Sequence, residues 1–286
     1  MRRNRNTRPG HPTRKPPQRS FEYPTPPRSP MSPEEQQAHA ELHAWQQQMQ
    51  RPPSRLNRFA RRVQAHVSAL LPETLLPERA HQAITATIRQ LVRGVLFGSR
   101  LTTGAPLTNA PFATREAEVR ARIRDYRTMA TAEGAVTGAG GFLLGLADFP
   151  LLLSLKLKLL FDTAALYGHD VHDYTERLYL LHVFQLAFGS PHTRGHAYHR
   201  LANWEAYRLN LPLDPAEFDW RTFQQEYRDY LDVAKMAQLV PVIGAAAGAV
   251  ANYQLIGQLG HTAMNCYRMR HFAAQAAPPP ATRRAD

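Results

Sequence analysis

The run from Gly134 to Gly168, GAVTGAGGFLLGLADFPLLLSLKLKLLFDTAALYG, constrains the fold most: it is long enough to cross a bilayer, is punctuated by glycine, and carries Asp148 just before Pro150. A second stretch repeats the theme, since no Asp, Glu, Lys or Arg occurs from Met236 to Tyr267. Gly134 and Gly138, Gly141 and Gly145, and Gly244 and Gly248 form small-x-x-x-small pairs, whose missing side chains let helix backbones approach closely. That spacing predicts tightly crossed helices in lipid or in protein alike. For Ala135 to Leu155, ten Leu, Phe or Val residues favour insertion by roughly 3–6 kcal/mol, while a central Asp opposes it by about 2.5–3.5 kcal/mol. The segment is marginal as an independent span, and a buried helix or shallow hairpin of a soluble domain accounts for it equally. A carboxylate at such a crossing needs a partner, for which Asn252 and Lys or Arg side chains are candidates.

Helical periodicity and stop signals organise the rest. Residues 1–32 hold eight of the 23 prolines among Arg, Ser and Thr, a composition expected to stay disordered because it buries too little apolar surface. Ser32 with Glu35 opens a Gln-rich, exposed helix over 33–50, ended by Pro52 and Pro53. Leu56, Phe59, Val63, Val67 and Leu70 then recur at helical steps, with Arg55, Arg58, Arg61 and Arg62 on the other faces: a basic amphipathic helix. Such a helix either packs on its own domain or lies in an anionic membrane interface. A helix from Pro77 to Gly98, a loop over 99–113, and a helix from an N-cap at Thr114 to about Glu133 follow. Pro150 is expected to kink or split the glycine-rich segment, with Gly168 capping its second half. Asp173 and Glu176 read as a capping box for a helix to Phe188, stopped by Gly189 and Pro191. Further helices are expected over 192–210, 219–240 and 241–272, with almost no strand.

The formal charge is +12, and +11 of it lies in the first 110 residues, which points to an anionic partner or to a solubilising basic tail. Cys266 is the single cysteine, so no intramolecular disulfide forms, and the N-terminus lacks the apolar stretch of a secretory signal. A cytoplasmic setting is the expectation.

GAVTGAGGFLLGLADFPLLLSLKLKLLFDTAALYGHD, then TERLYLLHVFQLAF, then VPVIGAAAGAVANYQLIGQLGHTAMNCYRMRHF together resemble the EcsC family of bacterial proteins, over roughly residues 56–272. The stretch leading to Ala147, Asp148, Phe149 and Pro150 is the most specific part. The resemblance implies an all-helical domain in a membrane-transport or secretion context, because the family is named for a gene beside ABC-transporter genes. It implies no catalytic residues.

Other constellations are weaker. His192, His196 and His199 share a helical face at a spacing able to meet a metal, yet no Glu completes a metalloprotease pattern, and exposed helix histidines explain them. His169, Asp170, His172 and Asp173 fit caps and turns. No phosphate loop, nucleophile elbow or cysteine pair occurs. The expected fold is all-α: a multi-helix domain at 54–272 with glycine-zippered central helices, between disordered tails at 1–53 and 273–286. The expected function is non-enzymatic, without cofactor or metal, at the surface of the cytoplasmic membrane, peripheral or partly inserted, or against a transport protein. Rival readings are a hydrolase with a site near Asp148 and a nucleic-acid binder acting through residues 1–30; close glycine faces also allow a homo-oligomer. The candidate residues are Asp148, Pro150, Gly138, Gly141, Gly145, Gly244, Gly248 and Asn252 for packing or function, and Arg55, Arg58, Arg61 and Arg62 for lipid.

Overall fold

Helix α1, Pro33–Gln50, starts where its capping box demands. The Ser32 N–H donates to Glu35 Oε2 at 2.9 Å and the Glu35 N–H to Ser32 Oγ at 3.2 Å, satisfying two donors a helix start leaves open. A computed structural model describes residues 30–50, 103–139, 141–189, 191–211 and 245–276, and every regular element among these is helical. Helix α1 is less exposed than its glutamines suggest, because Ala38 and Leu42 bury a stripe against the C-terminal helix.

Helix α2, Phe112–Ala139, and helix α3, Gly141–Leu166, are separated only by residue 140. The start of α2 lies before Thr114: the Arg115 N–H reaches the Pro111 carbonyl at 3.2 Å, so Thr114 sits inside the first turn. Helix α3 continues through Pro150 and is not divided there. Proline deletes one backbone donor, which the rest of a leucine-rich helix outweighs. Gly168 closes α3 at φ +89°: its N–H reaches the Ala165 carbonyl at 2.9 Å and the His169 N–H reaches Ala164 at 3.0 Å, the paired bonds of a Schellman cap.

Helix α4, Tyr174–Phe188, is buried at twelve of its 15 positions, as a helix apolar on all sides must be. Asp173 caps it, its side chain accepting from the Thr175 N–H at 2.9 Å. Glu176 does not complete a capping box, because it is drawn into the core. Gly189 ends the helix where a Cβ would lie 2.6 Å from the Gln185 carbonyl oxygen. The helix expected over 192–210 is two, α5 at Pro191–Ala202 and α6 at Trp204–Arg208, interrupted at Asn203.

Helix α7, Ala245–Ala276, is the spine. It runs antiparallel along α2 and also meets α1, α3, α4 and α5. Two glycines permit the α2 crossing: a Cβ on Gly260 would lie 2.6 Å from Ile123 Cγ1, and one on Gly257 would lie 2.5 Å from the Arg127 guanidinium. The guanidinium instead lies on the helix, 4.1 Å from the Tyr253 ring centroid. Gly138, Gly141, Gly145 and Gly248 stand on the described helices, but their packing, like all of Gly244, lies outside the described residues. The expected segments 54–98 and 219–240 lie outside them too.

Candidate functional site

The most elaborate chemistry is a buried ionic lattice at the end of the bundle where α2 begins and α3 closes. Arg268 on α7 is 3 % exposed and grips Glu116 of α2 with two bonds, Nε to Oε1 at 2.9 Å and Nη2 to Oε2 at 2.7 Å. Its Nη2 also reaches Glu41 of α1 at 2.9 Å, and Nη1 donates to Asn265 Oδ1 at 3.1 Å. Arg120 bridges the same two carboxylates at 3.2 and 3.4 Å. The Tyr167 hydroxyl donates to Glu116 Oε1. Two carboxylates face two guanidinium groups, so the formal charges balance. Burial opposes the charge on Arg268, but Glu116 overrides it and holds the Arg268 pKa above its ordinary value.

A second cluster joins α4 to α7. Glu176 accepts from the Tyr267 hydroxyl at 2.6 Å and from Arg270 Nη1 at 3.0 and 2.7 Å. Burial pushes its carboxyl above the usual range despite Arg270. Arg270 lies 4.6 Å over the Tyr179 ring, and Tyr179 donates to the Cys266 carbonyl at 2.8 Å. Tyr167 stacks on Tyr267 at 5.2 Å and 16°, linking the two clusters through their rings. His169 also stacks on Tyr267, with Nδ1 3.7 Å from Glu176 Oε2. Burial, then the Arg270 and Arg115 charges, push its pKa down to about 3, so the ring is neutral. Both Glu176 oxygens are spent on α7, which makes this cluster a clamp between helices.

Two further groups stand apart. Asp162 of α3 accepts from Tyr126 Oη at 2.8 Å and from Lys158 Nζ, with Arg122 3.9 Å away. Among the described residues Lys156, 8 % exposed, has the Phe188 ring 5.5 Å from Nζ, and burial lowers its pKa to about 8. Among the described residues, no group of three or more His, Cys, Asp or Glu is arranged to hold a metal ion.

The sequence-derived candidates lie elsewhere. Asp148 and Pro150 are on α3, where Asp148 is about 21 Å along the helix from Asp162 and about 27 Å from its C-terminal end, next to His169. Neither residue can share a site with Asp148. Asp170 forms a turn, accepting from the His172 N–H at 2.9 Å, and Asp173 is the α4 cap. His196 and His199 lie exposed on α5, whereas the His192 side chain is outside the described residues. Asn252 is half-buried on α7, and Arg55, Arg58, Arg61 and Arg62 fall outside the described residues. Glu116 stands in the first turn of α2 and Glu176 in that of α4, but their partners Arg268 and Arg270 are 152 and 94 residues away. The one local hint was the abrupt Tyr267-Arg-Met-Arg270 after 31 residues without Lys, Arg, Asp or Glu.

The EcsC protein family model matches residues 36–272, which takes in every member of the lattice. The chain belongs to the EcsC family. Protein EcsC of Bacillus subtilis (strain 168) is 42 % identical over 227 residues, covering 79 % of this chain and 91 % of that protein. The uncharacterized protein YdbA of the same organism is 29 % identical over 164 residues, covering 57 % of this chain and 60 % of its own. No solved structure matches this EcsC-family chain. The family match begins inside α1, so Glu41 and its bond to Arg268 fall within the EcsC region.

Proposed function

We propose that this EcsC-family chain is a non-enzymatic helical protein that docks peripherally on the inner surface of the cytoplasmic membrane, where it serves a transport or secretion system. One observation carries the docking reading. Among the described residues, four of the five large hydrophobic side chains that stand exposed, Met129, Leu151, Val250 and Tyr253, gather toward one end of the bundle at 43–55 % exposure. A concentrated apolar end on a charged protein marks an interaction surface. The ionic lattice lies at the opposite end, about 35 Å away along α2 between Glu116 and Ala139. The clamped end supplies rigidity, and the apolar end supplies contact.

No described helix is long and apolar enough to cross a membrane, which is compatible with surface docking. The basic excess of the first 110 residues adds attraction to anionic lipid. Flotation of the full chain with phosphatidylglycerol vesicles, compared with pure phosphatidylcholine vesicles, tests the reading. It predicts flotation with the anionic vesicles that weakens with salt without vanishing; protein that stays in the dense fraction with both removes it.

A further inference from the structure

Resting on the docking reading, we propose that the tip formed by the end of α2, the start of α3 and the start of α7 enters a single leaflet of an anionic bilayer, to the depth at which Arg124 and Arg127 meet the headgroup phosphates. The register of α7 on α2 defines that tip. Arg268 pairs with Glu116, Gly260 faces Ile123, and Arg127 lies on Gly257. Carried forward, this antiparallel register brings Ala245, the start of α7, level with Ala139, the end of α2.

Charge is graded along that axis. Gly134–Ala147, Phe149–Leu155 and Ala245–Gly260 contain no Asp, Glu, Lys or Arg. Measured along the helices at ~1.5 Å per residue, Met129 and Leu151 lie about 15 Å from the tip and Val250 about 8 Å. Arg127 follows at about 18 Å and Arg124 at about 22 Å. One leaflet offers about 15 Å of hydrocarbon and then about 5–7 Å of headgroup. The apolar band thus matches the hydrocarbon, and the arginines match the phosphates.

The boundary residues fit the same frame. Arg124 is exposed and forms no ion pair among the described residues, and Arg127 stacks on the exposed Tyr253 ring, an aromatic and cation pairing suited to a membrane interface. Beside them an open apolar groove of about 500 Å³ runs between α2 and α7, lined by Thr128, Thr131, Ala132, Ala249, Val250 and Tyr253. Glu133 and Asp148 are the acidic residues in the band. They fall about 9 and 10 Å from the tip, so at single-leaflet depth their backbones sit only about 5–6 Å inside the headgroup boundary, whereas a full crossing would carry them deeper.

Site-directed spin labelling of the full chain tests the depth. Cys266 is fully buried, so a label attaches selectively to an introduced Val250→Cys or Glu118→Cys. On vesicles of equal phosphatidylglycerol and phosphatidylcholine, the label at 250 is expected to become accessible to oxygen and shielded from a water-soluble nickel chelate, while that at 118 stays in water. Arg124→Ala is expected to weaken vesicle binding about fivefold, the factor for one basic residue at an anionic surface. A label at 250 that remains open to nickel on bound protein overturns the inference and leaves the docking reading standing, with another segment carrying it. Absence of vesicle binding overturns both. Dipolar broadening between labels at 250 in lipid-free protein assigns the face to a second copy of the chain and overturns the lipid proposal.

Discussion

Replacing Arg268 by methionine isolates what the buried lattice contributes. The side chain keeps most of its length and loses its charge, leaving Glu116, 6 % exposed, with Arg120 at 3.4 Å and the Tyr167 hydroxyl as its remaining side-chain partners among the described residues. Removing one member of a buried ion pair strands the other and costs about 3–5 kcal/mol. Against a domain stability of about 5–15 kcal/mol, that is a large fraction. Glu116→Gln added to Arg268→Met removes the stranded charge while retaining an acceptor for Tyr167, so the double variant is expected to regain about 2 kcal/mol or more over Arg268→Met alone. Urea unfolding of the three variants followed by circular dichroism supplies the cycle. An Arg268→Met loss below about 1 kcal/mol, the scale of an exposed pair, or strict additivity of the two substitutions, refutes the lattice as a clamp.

Lys156→Met tests the buried amine. Its folded pKa, lowered to about 8 from 10.5, means the unfolded chain binds more protons between those values, so the charged amine costs stability below pH 8 and that cost is relieved as pH rises toward 10.5. The cost is about 3 kcal/mol. Thermal unfolding should show the methionine variant more stable at pH 7 and without the rise with pH that Lys156 contributes; superimposable pH profiles contradict this. Gly260→Ala drives a methyl into Ile123 and is expected to destabilise by about 1–2 kcal/mol in denaturant titration. Gly257→Ala, which meets only the flexible end of Arg127, should change stability by less than about 0.5 kcal/mol because helix propensity offsets the lost stacking. Equal losses at both glycines count against the crossing geometry.

Several helix ends were legible because the responsible groups lie within a few residues, although Thr114 and Glu176 do not take the capping roles their positions suggest. The Ser32 and Glu35 box, the Asp173 cap and the Gly168 and Gly189 stops each depend on bonds to near neighbours, and each is found where the residues imply. The all-helical class follows for the same reason. Pro150 shows the limit of such rules, since it does not divide α3: one lost donor inside a leucine-rich helix is outweighed by the rest of it. The small-x-x-x-small pairs stand four residues apart, whereas Gly257 and Gly260, three apart, are identified by what faces them on α2. Glu116 with Arg268 and Glu176 with Arg270 had no local signature at all. Their partners meet only after the chain has folded back, so single-sequence periodicity assigns the acids to helix starts and leaves the arginines unexplained.

Lipid docking through the apolar end is the central claim. Sedimentation of the full chain carrying Leu151→Asp and Val250→Asp with phosphatidylglycerol vesicles probes that surface directly, because both side chains stand exposed and their replacement spares the folded core. The expected result is wild-type protein in the vesicle pellet, the double variant in the supernatant, and coincident thermal unfolding curves. Undiminished pelleting of the double variant contradicts the account.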